Sequence, residues 1–200
     1  MESESSVPHR NIAAGPATSD LALQAALREY VQRWPSEGPN VDEFLHLLAD
    51  RHDPFVRERI AGHFTASAWL VDRGGTRILL THHRKLGMWL QLGGHADGDR
   101  DLARTALREA EEESGLSGLQ VVPGIFDLDR HRIPEHKGVP AHWHYDVRYI
   151  VRAGDDEDFV VSDESHALAW RDIESISVDE TADVSLRRMA AKWLDRLAST

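Results

Sequence analysis

The chain has 200 residues, enough for one domain with an appendage and a sizeable core. Its 41% apolar and 28% charged residues are an ordinary globular composition, which excludes a fibre or a wholly disordered chain. Acids outnumber bases by 34 to 23, giving a formal charge of -11 with the 12 histidines neutral, which argues against a surface built to grip a nucleic-acid duplex.

There is no cysteine, so disulfides, zinc thiolates and a cysteine nucleophile are excluded. Met1 to Asp20 is polar, without the apolar stretch of a signal peptide. No run approaches the roughly 18 apolar residues of a membrane span. A cytoplasmic protein with no membrane partner is the expectation.

Residues 1–18 are rich in Ser, Ala, Gly and Pro and read as a flexible tail. From Ser19 a helical period begins, with Leu23, Leu27, Tyr30, Val31 and Trp34 three or four apart, and Pro35 ends it. A second helix is expected from Val41 to Arg51, and a third opening at Pro54 and running through Ile60. Together these make a helical extension over residues 19–62. Phe64–Asp72 and Ile78–Leu80 then read as a hairpin across Gly74-Gly75. A third strand, Trp89 to Leu92, runs into Gly93-Gly94. Leu102 to Ser114 is helical and stops at Gly115. Strands follow at Leu119–Leu128, Trp143–Val151 and Ala167–Trp170. A last amphipathic helix spans Val184 to Leu197, burying Leu186, Met189, Ala190, Trp193 and Leu197. The order β-β-β-α-β-β-β-α predicts an α+β domain over residues 63–200, a mixed sheet covered by helices.

The segment Arg108 to Leu116 carries the strongest signal. At about 100° per residue, Glu109, Glu112 and Glu113 share one helical sector, while Ala103, Leu107, Ala110 and Ser114 form an adjoining side small enough to pack on a sheet. Carboxylates at i, i+3 and i+4 repel one another unless a cation sits among them. Hard ions such as Mg²⁺ take such oxygen ligands and pair with substrate phosphates. The alternative is a solvated acidic face. Gly93-Gly94 lets the chain approach that face closely, and Asp97, Asp99 and Asp101 add acids at the helix start.

With these residues in place the sequence resembles the Nudix hydrolase family, whose signature is G-x5-E-x7-R-E-U-x-E-E-x-G-U with U a bulky aliphatic. Gly94, Arg108-Glu109, Glu112-Glu113, Gly115 and Leu116 fall in register. The resemblance covers about Phe64 to Leu197 and implies an α/β/α sandwich. Three positions depart from it: Arg100 stands where the family has its first glutamate, Ala110 is small for a U position, and Leu92 replaces a common proline. Asp97, Asp99 or Asp101 could replace the missing acid.

The resemblance implies hydrolysis of a diphosphate linked to another moiety, usually a nucleoside, with Mg²⁺ or Mn²⁺ as cofactor. It implies that Glu109, Glu112 and Glu113 bind metal and that Arg108 orients a carboxylate. The carbonyl of Gly93 and the carboxylate of Glu164 are further candidate ligands. Carboxylate crowding would suit Glu112 or Glu113 to accept a proton from water, and the acids at 155–158 and 163–164 are alternatives. A nucleotide-binding module of the same fold is the second functional reading. The isopentenyl-diphosphate isomerase branch of the fold relies on a cysteine that this chain lacks.

In His142 to Tyr149, alternation places His142, His144, Asp146 and Arg148 on one face of a strand and Trp143, Tyr145, Val147 and Tyr149 on the other. The polar face could ligate a transition metal or contact substrate phosphates, with Arg148 as a bidentate partner; a solvated sheet face is the alternative. His82, His83 and His95 flank the glycine loop, and His95 joins the candidate substrate contacts. Trp69, Trp89 and Trp170 are expected in the core. The extension could pack on its own domain or support a homodimer. The acidic excess gathers in residues 97–101, 108–113 and 155–164, the first two at the proposed metal site.

Overall fold

The computed structural model describes residues 18–84, 87–136, 138–161 and 165–199. The expected tail, Thr18 excepted, and the Asp163-Glu164 pair lie outside these residues.

Helices α1 (Thr18–Arg33) and α2 (Gly38–Leu48) form the extension, joined by a 3-10 turn at Pro35–Glu37. Leu23, Leu27 and Tyr30 of α1 and Val41, Phe44 and Leu47 of α2 are buried, as their spacing requires. The third helix does not form, and residues 49–62 run as turns. The Asp53 side chain accepts a hydrogen bond from the Phe55 N–H (3.0 Å), a local turn that competes with a helical start.

One mixed sheet of eight strands follows: β1 (His63–Val71), β2 (Arg77–His83), β3 (Trp89–Leu90), β4 (Leu92–His95), β5 (Gln120–Val121), β6 (Asp127–Ile133), β7 (His142–Arg152) and β8 (Ser165–Asp172). β1 lies at its centre, parallel to β7 from His63 opposite His144 to Val71 opposite Arg152, and every other pairing is antiparallel. Two single strands of the sequence reading each divide. Trp89 to Leu92 breaks at Gln91. Leu119 to Leu128 breaks at Pro123-Gly124, where proline has no N–H for a ladder and Gly124 takes φ 93°. Helix α3 (Leu102–Ser114) lies between β4 and β5; α4 (Ile173–Val178), absent from the sequence reading, follows β8 and is capped by Asp172; α5 (Val184–Ala198) closes the fold.

Alternation along β1 builds the layers. Phe64 and Ala66 pack with Leu102 and Ala106 of α3 and with Phe44 and Leu27 of the extension. Ala68 and Leu70 pack with Ala110. On the second face Trp69 and Val71 pack with Leu186, Met189 and Trp193 of α5, whereas His63, Thr65 and Ser67 are polar. The α/β/α sandwich of the family resemblance is therefore present. Leu197, expected on the buried side of α5, is 45% exposed in the last turn of the helix, beyond Trp193 where its buried residues end. The apolar side of the extension is used by its own chain: the Phe44 ring meets Tyr145 edge-on at 5.3 Å and lies 6.2 Å from Phe64.

Polar residues on the second face form a buried ion-pair network. Asp127 accepts from Arg148 (3.2 Å), Arg188 (2.7 Å) and Lys192 (2.7 Å). Lys192 also reaches Tyr30 (2.6 Å) and Glu37 (2.5 Å) of the extension. Asp129 and Asp146 also pair with these bases, so every buried charge of the network has an opposite partner, which is what makes such burial tolerable.

Candidate active site

Asp101 caps α3 by accepting from the Arg104 N–H (3.1 Å), and Gly115 ends it in the left-handed region at φ 70°. Leu102, Thr105, Ala106, Ala110 and Ser114 are buried against the sheet. This side is centred one step from the expected Ala103 and Leu107, which are half-buried. The small Ala110, a departure from the family pattern, is wholly buried beside Ala68.

Two of the three candidate carboxylates, Glu109 and Glu113, lie against β4. A Cβ added to Gly94 would stand 2.4 Å from Glu109 Oε2, so glycine is what lets that carboxylate lie against the strand. Glu113 Oε1 accepts from the Gly93 N–H at 3.0 Å. In an extended strand the N–H and C=O of one residue point to the same edge, so the Gly93 carbonyl lies on the Glu113 side of β4. Glu112 is open to solvent, 60% exposed against 17% for Glu109. Arg108 contacts Glu109 (3.0 Å) and Glu112 (3.5 Å) and donates to the His95 carbonyl (3.4 Å). It therefore fixes two carboxylates relative to the glycine strand. Glu111 is exposed and outside the cluster.

Arg100 has work of its own. It bonds Asp20 of α1 (2.5 Å) and Asp53 (3.2 Å), and its guanidinium lies 4.8 Å from the centre of the Phe55 ring. The residue that breaks the family box ties the extension to the domain. The acids beside it are also engaged: Asp97 pairs with Arg57, Asp99 with Arg104 (2.7 Å), and Asp101 caps the helix. Their pairing with arginine holds Asp97 and Asp99 below the usual carboxylate range.

The later acidic segment is anchored at the first hairpin, with Asp155 on Arg73 and Glu157 on Arg77 (2.6 Å). It then runs to the end of α3, where the Val160 N–H donates to the Ser114 carbonyl (2.7 Å). Glu164, beyond it, lies outside the described residues.

On the other side of β4 and β1 the structure gathers histidines. His95 sits opposite Thr65, and His144 opposite both His63 and His131. The His63 ring lies 5.2 Å from His95 and 5.0 Å from His144, and His142 is 5.1 Å from both His63 and His144. Burial is the main cause that lowers the pKa of His95 to about 4 and of His144 to about 2, with neighbouring positive groups adding to it. His82 stands apart, against Trp89 (5.2 Å) and His166 (5.7 Å). Arg148 is enclosed by Asp127, Asp129 and Asp146 and is 2% exposed, so its guanidinium is already committed. Trp69 is in the core, while Trp89 and Trp170 are half-buried.

Sequence reasoning missed His63, because it began β1 one residue late. Extending the alternation back from Ser67 and Thr65 would have found it. The partners Asp127, Arg188 and Lys192 gave no local signal, since two elements distant in sequence, β6 and α5, bring them together.

Comparisons with known proteins agree with this geometry. A Mycobacterium tuberculosis protein provisionally named 8-oxo-dGTP diphosphatase 3 is 32% identical over 127 residues, 60% of this chain and 54% of its own length. The match thus spans about half of that relative. A NUDIX-family hydrolase from Clostridium perfringens superposes with a TM-score of 0.54 at 24% identity, over 68% of this chain and 97% of its own. An Ap4A hydrolase from C. elegans gives a TM-score of 0.53 at 19% identity, over 68% and 98%. At these identities the two structures share the fold. The model of the NUDIX domain matches residues 62–194, most of the chain, and the chain belongs to that family.

Proposed function

We propose that the protein hydrolyses a phosphoanhydride bond in a nucleoside diphosphate derivative or a similar organic pyrophosphate, with Mg²⁺ or Mn²⁺ as cofactor. The observation that carries this reading is the complete set Glu109, Glu112 and Glu113 on one helix, with Glu109 at Gly94, Glu113 at Gly93 and Arg108 linking Glu109 to Glu112. The name of the M. tuberculosis relative, a diphosphatase of a nucleotide, points the same way.

The donor set fits the cofactor. All its members are hard oxygen donors, which Mg²⁺ and Mn²⁺ accept and softer ions do not require. Glu109, Glu112 and Glu113 would hold the ion, with the Gly93 carbonyl and Glu164 as additional ligands. When bound, it supplies charge neutralisation of the phosphate oxygens and a lowered pKa for water. The chain's own residues do the rest. Glu113 is positioned by the Gly93 N–H, and Glu109 by Gly94 and Arg108. Glu112, the open carboxylate, is the one placed to accept the water's proton. His142, half-buried at the rim of the histidine cluster, is the candidate substrate contact, and Arg148 is withdrawn from that role by its carboxylate cage.

A panel of nucleoside diphosphate derivatives incubated with wild-type protein tests the reading. The expected result is product formation that needs Mg²⁺ or Mn²⁺ and stops with chelator. Tight binding of a nucleotide without turnover of any compound would favour the binding-module reading, for which the diversion of Arg100 to the extension is the supporting observation.

A further inference from the structure

The histidines on the second face of the sheet take no part in the proposed hydrolysis apart from the rim. We propose that His63, His95 and His144 bind one divalent transition-metal ion of the imidazole-preferring kind, for which Zn²⁺ is the representative. This site is distinct from the carboxylates of α3, and the inference does not rest on the reaction proposed above.

Strand register builds the site. His63 and His144 are opposite one another in the parallel pair β1–β7, and His95 projects to the same face from β4, one residue from the opposite-facing Gly94. One ring nitrogen from each histidine lies within 4.8 Å of the other two. Ligands on a tetrahedral zinc are about 3.3 Å apart, given Zn–N bonds near 2.0 Å. Small ring rotations therefore bring all three nitrogens onto one ion.

A second observation points to a ligand. His63 is 2% exposed, and its Nε2 is buried without any hydrogen-bond partner. Its Nδ1 lies 3.3 Å from the Arg59 carbonyl, an acceptor that fixes the proton on Nδ1 and leaves the lone pair on Nε2. Backbone orientation of the distal nitrogen is the usual support behind a metal-bound imidazole. His142 is held the same way, Nδ1 to the Pro140 carbonyl at 2.8 Å, with its Nε2 3.3 Å from His144 Nε2. A bare network of histidine hydrogen bonds would account for that last contact and would leave His63 Nε2 orphaned. A coordinated ion supplies His63 Nε2 with the partner it lacks.

The donor type sets the selectivity. Three neutral nitrogen donors suit Zn²⁺, Ni²⁺ or Co²⁺ and offer little to Mg²⁺, which demands oxygen. The two sites would therefore fill independently in one protein.

The test is titration of chelator-stripped full-length protein with Zn²⁺ in excess Mg²⁺, using a chromogenic competitor, followed by Zn K-edge absorption on the wild-type complex. We expect one equivalent of bound zinc with imidazole scattering. Affinity should fall by roughly 100-fold or more in His95→Gln and His144→Gln, and stay unchanged in Glu112→Gln. The wild-type spectrum decides even if a histidine variant fails to fold. Absence of stoichiometric zinc, a carboxylate-dominated spectrum, or affinity lost in Glu112→Gln but kept in folded histidine variants would each overturn the proposal.

Discussion

Gly93 and Gly94 are adjacent, yet they restrict substitution for different reasons. A Cβ on Gly93 would meet backbone, 2.7 Å from the Ala66 carbonyl oxygen and from Ser67 Cα, and neither can move without opening the β1–β4 pairing. A Cβ on Gly94 would meet the end of the Glu109 side chain, which can swing aside. We therefore expect Gly93→Ala to lower the melting temperature sharply, with a cost of about 1–3 kcal/mol for overpacking. Gly94→Ala should melt near wild type while losing turnover, because Glu109 is displaced. Circular dichroism melts beside steady-state rates separate the two, and equal melting temperatures would contradict the distinction.

At the scale of elements, α3 was the most legible part of the molecule. Its ends, its carboxylate sector and its stop at Gly115 rest on local rules, and the expected Leu102–Ser114 span is the one observed, with Asp101, expected only as an acid at the helix start, as its cap. The break between β5 and β6 was signalled by Pro123-Gly124 but overridden by the apolar run around it. The role of the polar face of β7 was not legible. Alternation placed Asp146 and Arg148 correctly on one face, but whether that face meets water, substrate or partners depends on β6 and α5, distant in sequence.

Asp129 shows what that assembly does. Burial pushes its pKa up from the ordinary 3.8, but the hydrogen bond from His131 and the charges of Arg148 and Arg188 outweigh burial and hold it well below that value. A depressed carboxylate stabilises the fold above its unfolded pKa and loses that contribution as pH falls through the native value. Asp129→Asn should thus cost on the order of 2 kcal/mol at pH 7. The gap to wild type should shrink below about pH 4. Urea melts across that range check it, and a gap constant from neutral to strongly acid pH would contradict the assignment.

At the scale of the whole molecule, the extension is part of the fold. Phe44 and Leu27 share a core with Phe64 and Ala106, and Tyr30 and Glu37 complete the ion network at Lys192. Periodicity revealed the helices but not their docking site, because an apolar stripe does not name its partner. Arg100 is the bolt at the other end of that contact. Arg100→Glu restores the acid of the family box, but sets a carboxylate between Asp20 and Asp53 and removes the Phe55 contact. For these partly exposed pairs we expect a loss of about 1–2 kcal/mol, a few degrees of melting temperature. A variant more stable than wild type would show that the extension is not held this way. The acidic excess divides in the same manner. Residues 155–157 serve the first hairpin, and Asp97, Asp99 and Asp101 serve Arg57, Arg104 and the α3 cap. Glu109 and Glu113 of α3 are thus the part of the excess that gathers at the glycine strand.

The most direct test is the hydrolysis rate of Glu112→Gln against wild type, on whichever diphosphate the wild type turns over, at saturating Mg²⁺. Removing the general base proposed here should lower kcat by about 10²–10⁴-fold, with the melting temperature unchanged because the side chain is open to solvent. A kcat close to that of wild type would contradict the account and move the chemistry away from α3.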